Sequence, residues 1–314
     1  MLSYILPFII LILIVVFIHE YGHYYFAKKY GVGVTDFSIG FGQEIFGWND
    51  KSGTRWKICW IPLGGYVKFF GDRNVFSQAD QEKIIKKYNE EDRKKLFVLK
   101  PLYQRVLIVF GGPLANFLLA LVIFFSIYTF VGKDFTPAVI NEVQKDSPAM
   151  AGGLKDSDII LEIDGNKVKS IMDVSKYIMM STDDFIDFKV KRSYDELLLK
   201  IKPKIVMGED NLGNKINKRM VGIKLGAYNN EINHVKLGPA QAIYHAAHEV
   251  YYVSISSLKY IGGMIVGKAD TSQLGGPIRI AKISGQVAEF GVLAFISMMA
   301  YISISLGLVN LFPI

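Results

Sequence analysis

Two histidines and a glutamate near the N-terminus have the side-chain types and the spacing needed for metal-dependent hydrolysis. His19 and His23 are four residues apart, so on a helix they lie on one face about one turn apart, and both imidazoles can bind one Zn²⁺. Glu20 can reach a metal-bound water and act as the general base. Zinc lowers the pKa of that water toward neutrality, and Glu20 takes its proton as the water attacks a peptide carbonyl.

The apolar run before His19 decides between this chemistry and a pair of ordinary surface histidines. Residues 5–18 carry no charged side chain, and fourteen residues make about 21 Å of helix at ~1.5 Å per residue. We therefore expect His19 within the depth of a bilayer. Two histidines and a carboxylate at that depth are costly unless they have a function. The motif is short and also arises by chance, but this context favours a catalytic zinc site.

A second pair of histidines lies much further along the chain. His245 and His248 are three residues apart, and Glu249 follows. This group has metal-binding side chains, but it fits better with the polar face of an amphipathic helix over residues 240–266. Such a helix lies on the membrane surface or dips into it.

Composition and charge limit the class of protein. The mean hydropathy is +0.26, and the charged residues crowd into residues 28–105 and 133–236. This distribution predicts a membrane protein with two aqueous parts. The net charge of +7 fits the Lys and Arg bias of cytoplasmic loops, and without a nucleic-acid-binding motif we expect no nucleic-acid partner. The single Cys59 excludes an intramolecular disulfide and a cysteine-based zinc site.

Three segments are long and apolar enough to span a bilayer, namely residues 4–27, 106–132 and 291–312. The second contains Gly111, Gly112 and Asn116; small residues permit close helix packing, and a buried amide needs a partner. The Lys and Arg residues that flank the first two spans predict that residues 28–105 are cytoplasmic and that residues 133–240 lie outside.

The second aqueous part has the pattern of a small α/β module. Residues 139–143 and 159–163 read as strands, and Asp164-Gly165 reads as a hairpin turn. The segment from Ser147 to Val168 resembles a bacterial PDZ domain, with Ser157 where a glycine is usual. Such a domain accepts a peptide by strand addition or at a chain terminus. A structural cap or size filter without a defined ligand is the alternative.

Together these features resemble the site-2 protease family, specifically the bacterial regulator-of-sigma-E protease type with a single PDZ domain. The resemblance covers essentially the whole chain. It depends on the His19–His23 motif, the PDZ-like module, and residues 37–42, 61–68, 111–117, 275–278 and 310–313.

The resemblance implies a multi-span α-helical membrane protein with a membrane-dipping β-loop and an inserted α/β PDZ domain. It also implies a bacterial cytoplasmic membrane location, with the PDZ domain on the extracytoplasmic side and the lipid bilayer as a partner. Three spans are visible and a fourth is expected beyond the end. The expected parts are a membrane catalytic core (1–132), the PDZ domain (133–230), an amphipathic surface segment (231–290) and the third span (291–314).

The function implied is that of an intramembrane zinc endopeptidase that cuts transmembrane segments of membrane-bound regulators such as anti-sigma factors. His19 and His23 are then ligands to Zn²⁺, and Glu20 is catalytic. A single-span substrate is expected to lie as an unwound strand near Gly40, Phe41, Gly42 and Asn310.

One departure leaves a different function open. The family's third zinc ligand is an aspartate a few residues after an Asn-x-x-Pro motif, which would place it beyond Ile314. We therefore expect residues 1–314 alone to be inactive, because a catalytic zinc site has three protein ligands. The alternative is a membrane-anchored PDZ binding protein or a catalytically inactive relative.

Overall fold

The computed structural model describes residues 2–71, 88–209, 215–227, 233–267 and 276–311. Contacts divide the chain into two compact units. The membrane unit comprises Met1–Ile123 and Ile278–Ile314, and the inserted unit comprises Phe124–Pro277.

The membrane unit is built on long apolar helices. Its elements are α1 (Leu2–Lys29), β1 (Val34–Asn49), β2 (Arg55–Phe69), α2 (Glu90–Arg93), a 3₁₀ turn (Phe97–Leu99), α3 (Leu102–Ser126), α7 (Pro277–Glu289) and α8 (Val292–Val309). The segments Tyr4–Lys29, Leu102–Val131 and Val292–Val309 have the length and composition of membrane spans. The three predicted spans are thus confirmed by length and composition.

Glycines allow α1 and α3 to cross at backbone contact. A Cβ atom added to Gly22 would lie 2.2 Å from the carbonyl oxygen of Gly111, and one added to Gly111 would lie 2.6 Å from the carbonyl oxygen of Gly22. Only hydrogen atoms fit between the two backbones at these distances. Gly22 precedes His23 in the chain, so the crossing brings α3 beside the histidine motif.

Strands β1 and β2 form a sheet in which one segment of each strand pairs with two segments of the other. The segment 36–39 of β1 pairs with both 55–58 and 65–68 of β2, while 55–58 also pairs with 46–49. Gly40 and Gly42 have φ angles of +87° and +89°, which L-residues with a side chain rarely adopt. These two glycines let β1 change direction between its two paired segments.

Part of this sheet packs inward, and many of its other apolar side chains are exposed. Phe37 is fully buried and stacks on Trp56 with ring centroids 4.1 Å apart. The exposed apolar side chains of the two strands are Phe41, Ile45, Phe46, Trp48, Ile58, Trp60, Ile61 and Leu63. So many large apolar side chains in contact with water would be unfavourable, so this surface is suited to a non-aqueous neighbour.

The inserted unit is an antiparallel sheet with flanking helices. A π-helical turn (Ile127–Val131) precedes its elements, which are β3 (Lys133–Asp134), β4 (Ala138–Val143), α4 (Pro148–Ala151), β5 (Ile159–Ile163), β6 (Asn166–Lys167), α5 (Ile171–Met180), β7 (Ile186–Arg192), β8 (Asp195–Ile201), β9 (Lys204–Glu209), β10 (Lys215–Met220), β11 (Ile223–Ala227), β12 (His234–Val235) and α6 (Pro239–Ile265). The strand order of the main sheet is β11-β4-β5-β7-β8, with β6 beside β5.

Local features of the inserted unit agree with the sequence analysis. The two predicted strands correspond to β4 and β5, and Asp164 and Gly165 both have positive φ angles, as a tight hairpin turn requires. Ser157 also has a positive φ of 68°, which explains why glycine is usual at this place. The next residue, Asp158, is fully buried and accepts two hydrogen bonds from Arg192 at 2.7 and 2.8 Å.

Helix α6 packs on α5 inside the inserted unit. Tyr252 of α6 contacts Tyr177 of α5 with ring centroids 4.9 Å apart, and Lys176 donates to the buried Glu249. The predicted helix over 240–266 is therefore present as α6. Its position on a membrane surface, and the boundaries predicted for the four parts of the chain, stay predictions.

Candidate metal centre

The two histidines of the first span converge on one point. His19 is buried, and its Nε2 lies 3.2 Å from Nε2 of His23. Two nitrogen ligands of a tetrahedral zinc, each at about 2.0–2.1 Å from the metal, lie about 3.3 Å apart. The pair therefore has the separation that two ligands of one zinc ion require.

The remaining nitrogen of each ring is held by α3. Nδ1 of His23 donates to the carbonyl oxygen of Ile108 at 2.8 Å, so in the neutral ring the proton is on Nδ1 and the Nε2 lone pair is free. The Asn116 amide nitrogen lies 3.1 Å from Nδ1 of His19. Such outer contacts fix the orientation and tautomer of metal-binding histidines.

Asn116 can serve His19 in either protonation state of the ring. Its side chain is fully buried, and its Oδ1 has no hydrogen-bond partner among the described residues. A half-turn of the amide exchanges its oxygen and nitrogen at almost unchanged shape. Oδ1 then accepts from the Nδ1–H of His19 and leaves Nε2 unprotonated for a metal. Helix α8 supports this residue, because Ser303 donates to the Asn116 carbonyl oxygen at 2.9 Å.

Gly112 keeps open the space that both imidazoles face. A Cβ atom at this position would lie 2.3 Å from Nε2 of His23 and 2.8 Å from Nε2 of His19. From the sequence, Gly112 and Asn116 could be interpreted only in terms of helix packing and an unknown amide partner. The sequence signal for their position beside the histidines is the Gly-Pro-x-x-Asn spacing that joins these two residues.

The β-sheet reaches the proposed base. A Cβ atom at Gly65 of β2 would lie 3.0 Å from Cγ of Glu20 and 2.6 Å from the carbonyl oxygen of Ser38. Gly65 pairs with Ile39 of β1. The backbone of the sheet thus passes within contact distance of Glu20, next to the point where β1 reaches Gly40.

The predicted substrate-binding residues lie in two places. Gly40, Phe41 and Gly42 follow Ile39 in the sheet, and Phe41 is 43% exposed. Asn310 follows α8, is exposed, and donates through its side chain to the carbonyl oxygen of Leu306 in its own helix. The first group therefore shares a sheet with the backbone beside Glu20, whereas Asn310 ends a neighbouring helix. Their role in substrate binding stays a prediction.

Two further expectations concern metal ligands. Over the described ranges, no group of three or more His, Cys, Asp or Glu side chains is arranged to hold a metal ion, and the third ligand expected beyond Ile314 lies outside those ranges.

At the second histidine pair, Nζ of Lys176 donates hydrogen bonds to the two carboxylate oxygens of Glu249 at 3.0 and 3.1 Å. An ammonium group in contact with that carboxylate disfavours a metal ion there.

A membrane-spanning helix that carries two converging histidines and a neighbouring glutamate defines a class of membrane metalloprotease. The chain belongs to peptidase family M50, the site-2 protease family, whose profile matches residues 7–314. It is a multi-pass membrane zinc metalloprotease.

Named relatives agree with this assignment. The "Putative zinc metalloprotease" of Agrobacterium fabrum is 38% identical over 99% of this chain and 82% of its own length. That of Rickettsia conorii is 39% identical over 99% of this chain and 84% of its own length. The "Metalloprotease MmpA" of Caulobacter vibrioides is 33% identical over 96% of this chain and 80% of its own length.

Two solved structures of PDZ domains each match part of this chain. The PDZ domain of the SdrC-like protein from Listeria monocytogenes is 28% identical, covers 29% of this chain and 88% of its own chain, and has a TM-score of 0.24. The corresponding domain from Listeria innocua is 27% identical, covers 30% of this chain and 99% of its own, with the same TM-score.

The contact between Asn116 and His19 predicts that zinc affinity depends on α3. We expect Asn116→Leu, which is similar in size but cannot hydrogen-bond, to weaken zinc binding by about 10–100-fold. The affinity is measured by competition with a chromogenic chelator on the purified protein. The same substitution at exposed Asn141 in β4 is the matched control and should leave the affinity unchanged. Equal zinc affinity in the two variants would contradict the role of Asn116.

Proposed function

We propose that this protein is an intramembrane endopeptidase that hydrolyses peptide bonds in the transmembrane segments of single-span membrane proteins. The observation that carries the proposal is the 3.2 Å approach of the two Nε2 atoms on a helix long and apolar enough to span a membrane. Buried imidazoles and a carboxylate are costly at such a place unless they perform chemistry.

The residues of the chain have separate roles in this proposal. His19 and His23 hold Zn²⁺, which when bound lowers the pKa of a water and polarises the peptide carbonyl. A carboxylate oxygen of Glu20 accepts the proton of the attacking water and passes it to the nitrogen of the departing amine. Asn116 and the carbonyl oxygen of Ile108 keep the two imidazoles oriented. A third ligand beyond Ile314 remains part of the proposal.

The sheet of β1 and β2 is suited to present an extended substrate to Glu20. Residues 65–68 pair with 36–39 alone among the described residues, so the second edge of this segment is available for another strand. Its Gly65 lies against Glu20. A transmembrane helix must unwind before its backbone can be cut, and strand pairing stabilises the unwound form. We infer that the substrate lies near Gly40–Gly42 and that Asn310 approaches it from α8.

The exposed apolar surface of the same sheet supports a membrane-dipping loop. Large side chains such as Phe46, Trp60 and Leu63 are more than half exposed, and hydrocarbon is the neighbour that removes the cost of their exposure. A fourth membrane span, located after residue 314, completes the proposed membrane domain.

The inserted unit supports regulated substrate access. Strand β11 ends the sheet order and is paired only with β4 in the described part of the unit. An open strand edge accepts an extended peptide, as in PDZ domains. We infer a PDZ-like module, and membrane-bound regulators such as anti-sigma factors as the substrate class. A size filter without a peptide ligand is the other role open to the module.

The proposed location is the bacterial cytoplasmic membrane, with the inserted unit outside the cytoplasm. Single cysteines replace exposed Lys51, in the turn between β1 and β2, and exposed Ser193, in the turn between β7 and β8, in a Cys59→Ser background. Intact cells are treated with a membrane-impermeant thiol reagent. We expect labelling of Ser193→Cys but not of Lys51→Cys until the cells are lysed. Labelling with the opposite preference would reverse the topology.

The role of Glu20 is tested by near-isosteric replacement. We expect Glu20→Gln to reduce cleavage by about 10²–10⁴-fold, because the general base is lost, while zinc content and thermal stability are unchanged. The protein, expressed from its natural gene, is reconstituted in lipid with a single-span substrate, and the fragments are measured by gel electrophoresis and mass spectrometry.

The control for this experiment is Gln104→Glu at the start of α3, where the side chain is partly exposed; this variant should cleave like the wild type. If Glu20→Gln cleaves as fast as its parent, the proposed mechanism is wrong. If neither protein cleaves but both retain the substrate, the membrane-anchored binding protein or inactive relative is the correct function.

A further inference from the structure

A polar cavity of about 200 Å³ lies inside the inserted unit. It is bounded by α5, by α6 and by the loop that contains β6. The side chains that determine its charge are Lys133, Lys167, Lys169, Asp173, His245 and Glu249. The volume is several times the ~30 Å³ of one water molecule, so the cavity can hold a small polar group.

The two acidic side chains of this cavity already have partners. Nζ of Lys176 lies 3.0 Å from Oε1 of Glu249 and 3.6 Å from Oδ1 of Asp173. Asp173 also accepts hydrogen bonds from the backbone nitrogens of Lys169 and Ser170. The carboxylates are therefore occupied in holding α5 and α6 together.

The lysines that line the cavity have no carboxylate partner in the described part of the chain, although Nζ of Lys133 lies 4.8 Å from the centroid of the Tyr128 ring. Over the described ranges, none of Lys133, Lys167 and Lys169 forms an ion pair. Together with Lys176 they outnumber the two carboxylates, leaving a net charge of +2. Unpaired cations in a confined space repel one another, and an anion between them removes that repulsion.

Burial and the neighbouring charges shift the pKa values of two groups that line the cavity. Burial, together with the charges of Lys169 and Lys133, lowers the pKa of His245 to about 4. Burial also lowers the pKa of Lys133, which Glu249 and Asp173 partly oppose. At neutral pH His245 is thus a neutral ring that can donate one N–H, and the cavity offers ammonium and imidazole donors together.

The position of Lys133 in the chain indicates which kind of anion lies close to the cavity. It follows the apolar span Leu102–Val131 by two residues, and Phe130 near the end of that span is 71% exposed. Tyr244, which also lines the cavity, is 63% exposed. Lysine and tyrosine are both typical anchoring residues of the headgroup layer of a membrane, where the phosphates of the lipids lie.

We propose that this cavity binds the phosphate group of a phospholipid headgroup, held by the ammonium groups of Lys133 and Lys169 and by the imidazole of His245. Lys167 adds charge at the rim. The bound headgroup would fasten α6 and the β6 loop to the membrane surface. This site is separate from the histidine motif of α1 and does not depend on the proposed catalytic function.

The test measures lipid binding by the whole protein in a phosphate-free maltoside detergent. Dihexanoylphosphatidylglycerol is titrated and the bound molecules are counted by native mass spectrometry. We expect one saturable site whose affinity falls by at least about tenfold in Lys133→Gln/Lys169→Gln, since hydrogen bonds to charged groups are lost. The matched control, Lys145→Gln/Lys155→Gln, changes the same net charge at exposed lysines of the same unit and should bind like the wild type.

Two further ligands identify what is recognised. Dihexanoylglycerol lacks the phosphate and inorganic phosphate lacks the lipid, and both should bind at least about tenfold more weakly. Inorganic phosphate binding as tightly as the lipid would overturn the headgroup proposal in favour of a free-anion site. Equal binding of dihexanoylglycerol would show that the headgroup is not recognised.

Folding of the variants is checked by thermal unfolding. If the double variant does not fold, the singly substituted Lys169→Gln and the charge-conserving Lys169→Arg are compared instead. Loss of binding in the first with retention in the second supports the site. Equal binding by both Lys169 variants, or by the two double variants, would contradict it.

Discussion

The backbone contact between Gly22 of α1 and Gly111 of α3 is the constraint on which the metal centre depends. It brings Ile108 and Asn116 within hydrogen-bond distance of the two histidines. An imidazole nitrogen buried without a partner would cost free energy comparable to a lost hydrogen bond. A wider crossing, as a side chain at either glycine would cause, would leave both rings without their second contact and free to rotate away from a shared metal.

The other elements of the membrane unit complete the surroundings of the same site. Helix α8 reaches Asn116 through Ser303, so the ring of His19 is positioned through two helices in succession. On the opposite side, Gly65 allows the sheet backbone to lie against Glu20. The histidines are thus held by helices, whereas the glutamate faces a strand whose edge is suited to an extended peptide. This arrangement separates metal binding from substrate presentation.

The features predictable from sequence were those fixed by local spacing. The i, i+4 histidines, the three apolar spans and the Asp164-Gly165 turn each follow from a few adjacent residues. The roles of Asn116, Gly112 and Gly65 arise only when distant segments meet, and nothing in a single sequence states which segments meet. The His245 and His248 pair shows the same limit, because its surroundings include Lys133 and Lys169 from well over seventy residues earlier.

Zinc content tests the central claim most directly, because the account requires His19 and His23 to bind one metal ion. Zinc is measured by inductively coupled plasma mass spectrometry in the wild type, in His19→Ala/His23→Ala, and in His245→Ala/His248→Ala as a control that removes two histidines elsewhere. We predict zinc in the wild type and the control, and its loss from His19→Ala/His23→Ala. Equal zinc in all three proteins would contradict the account.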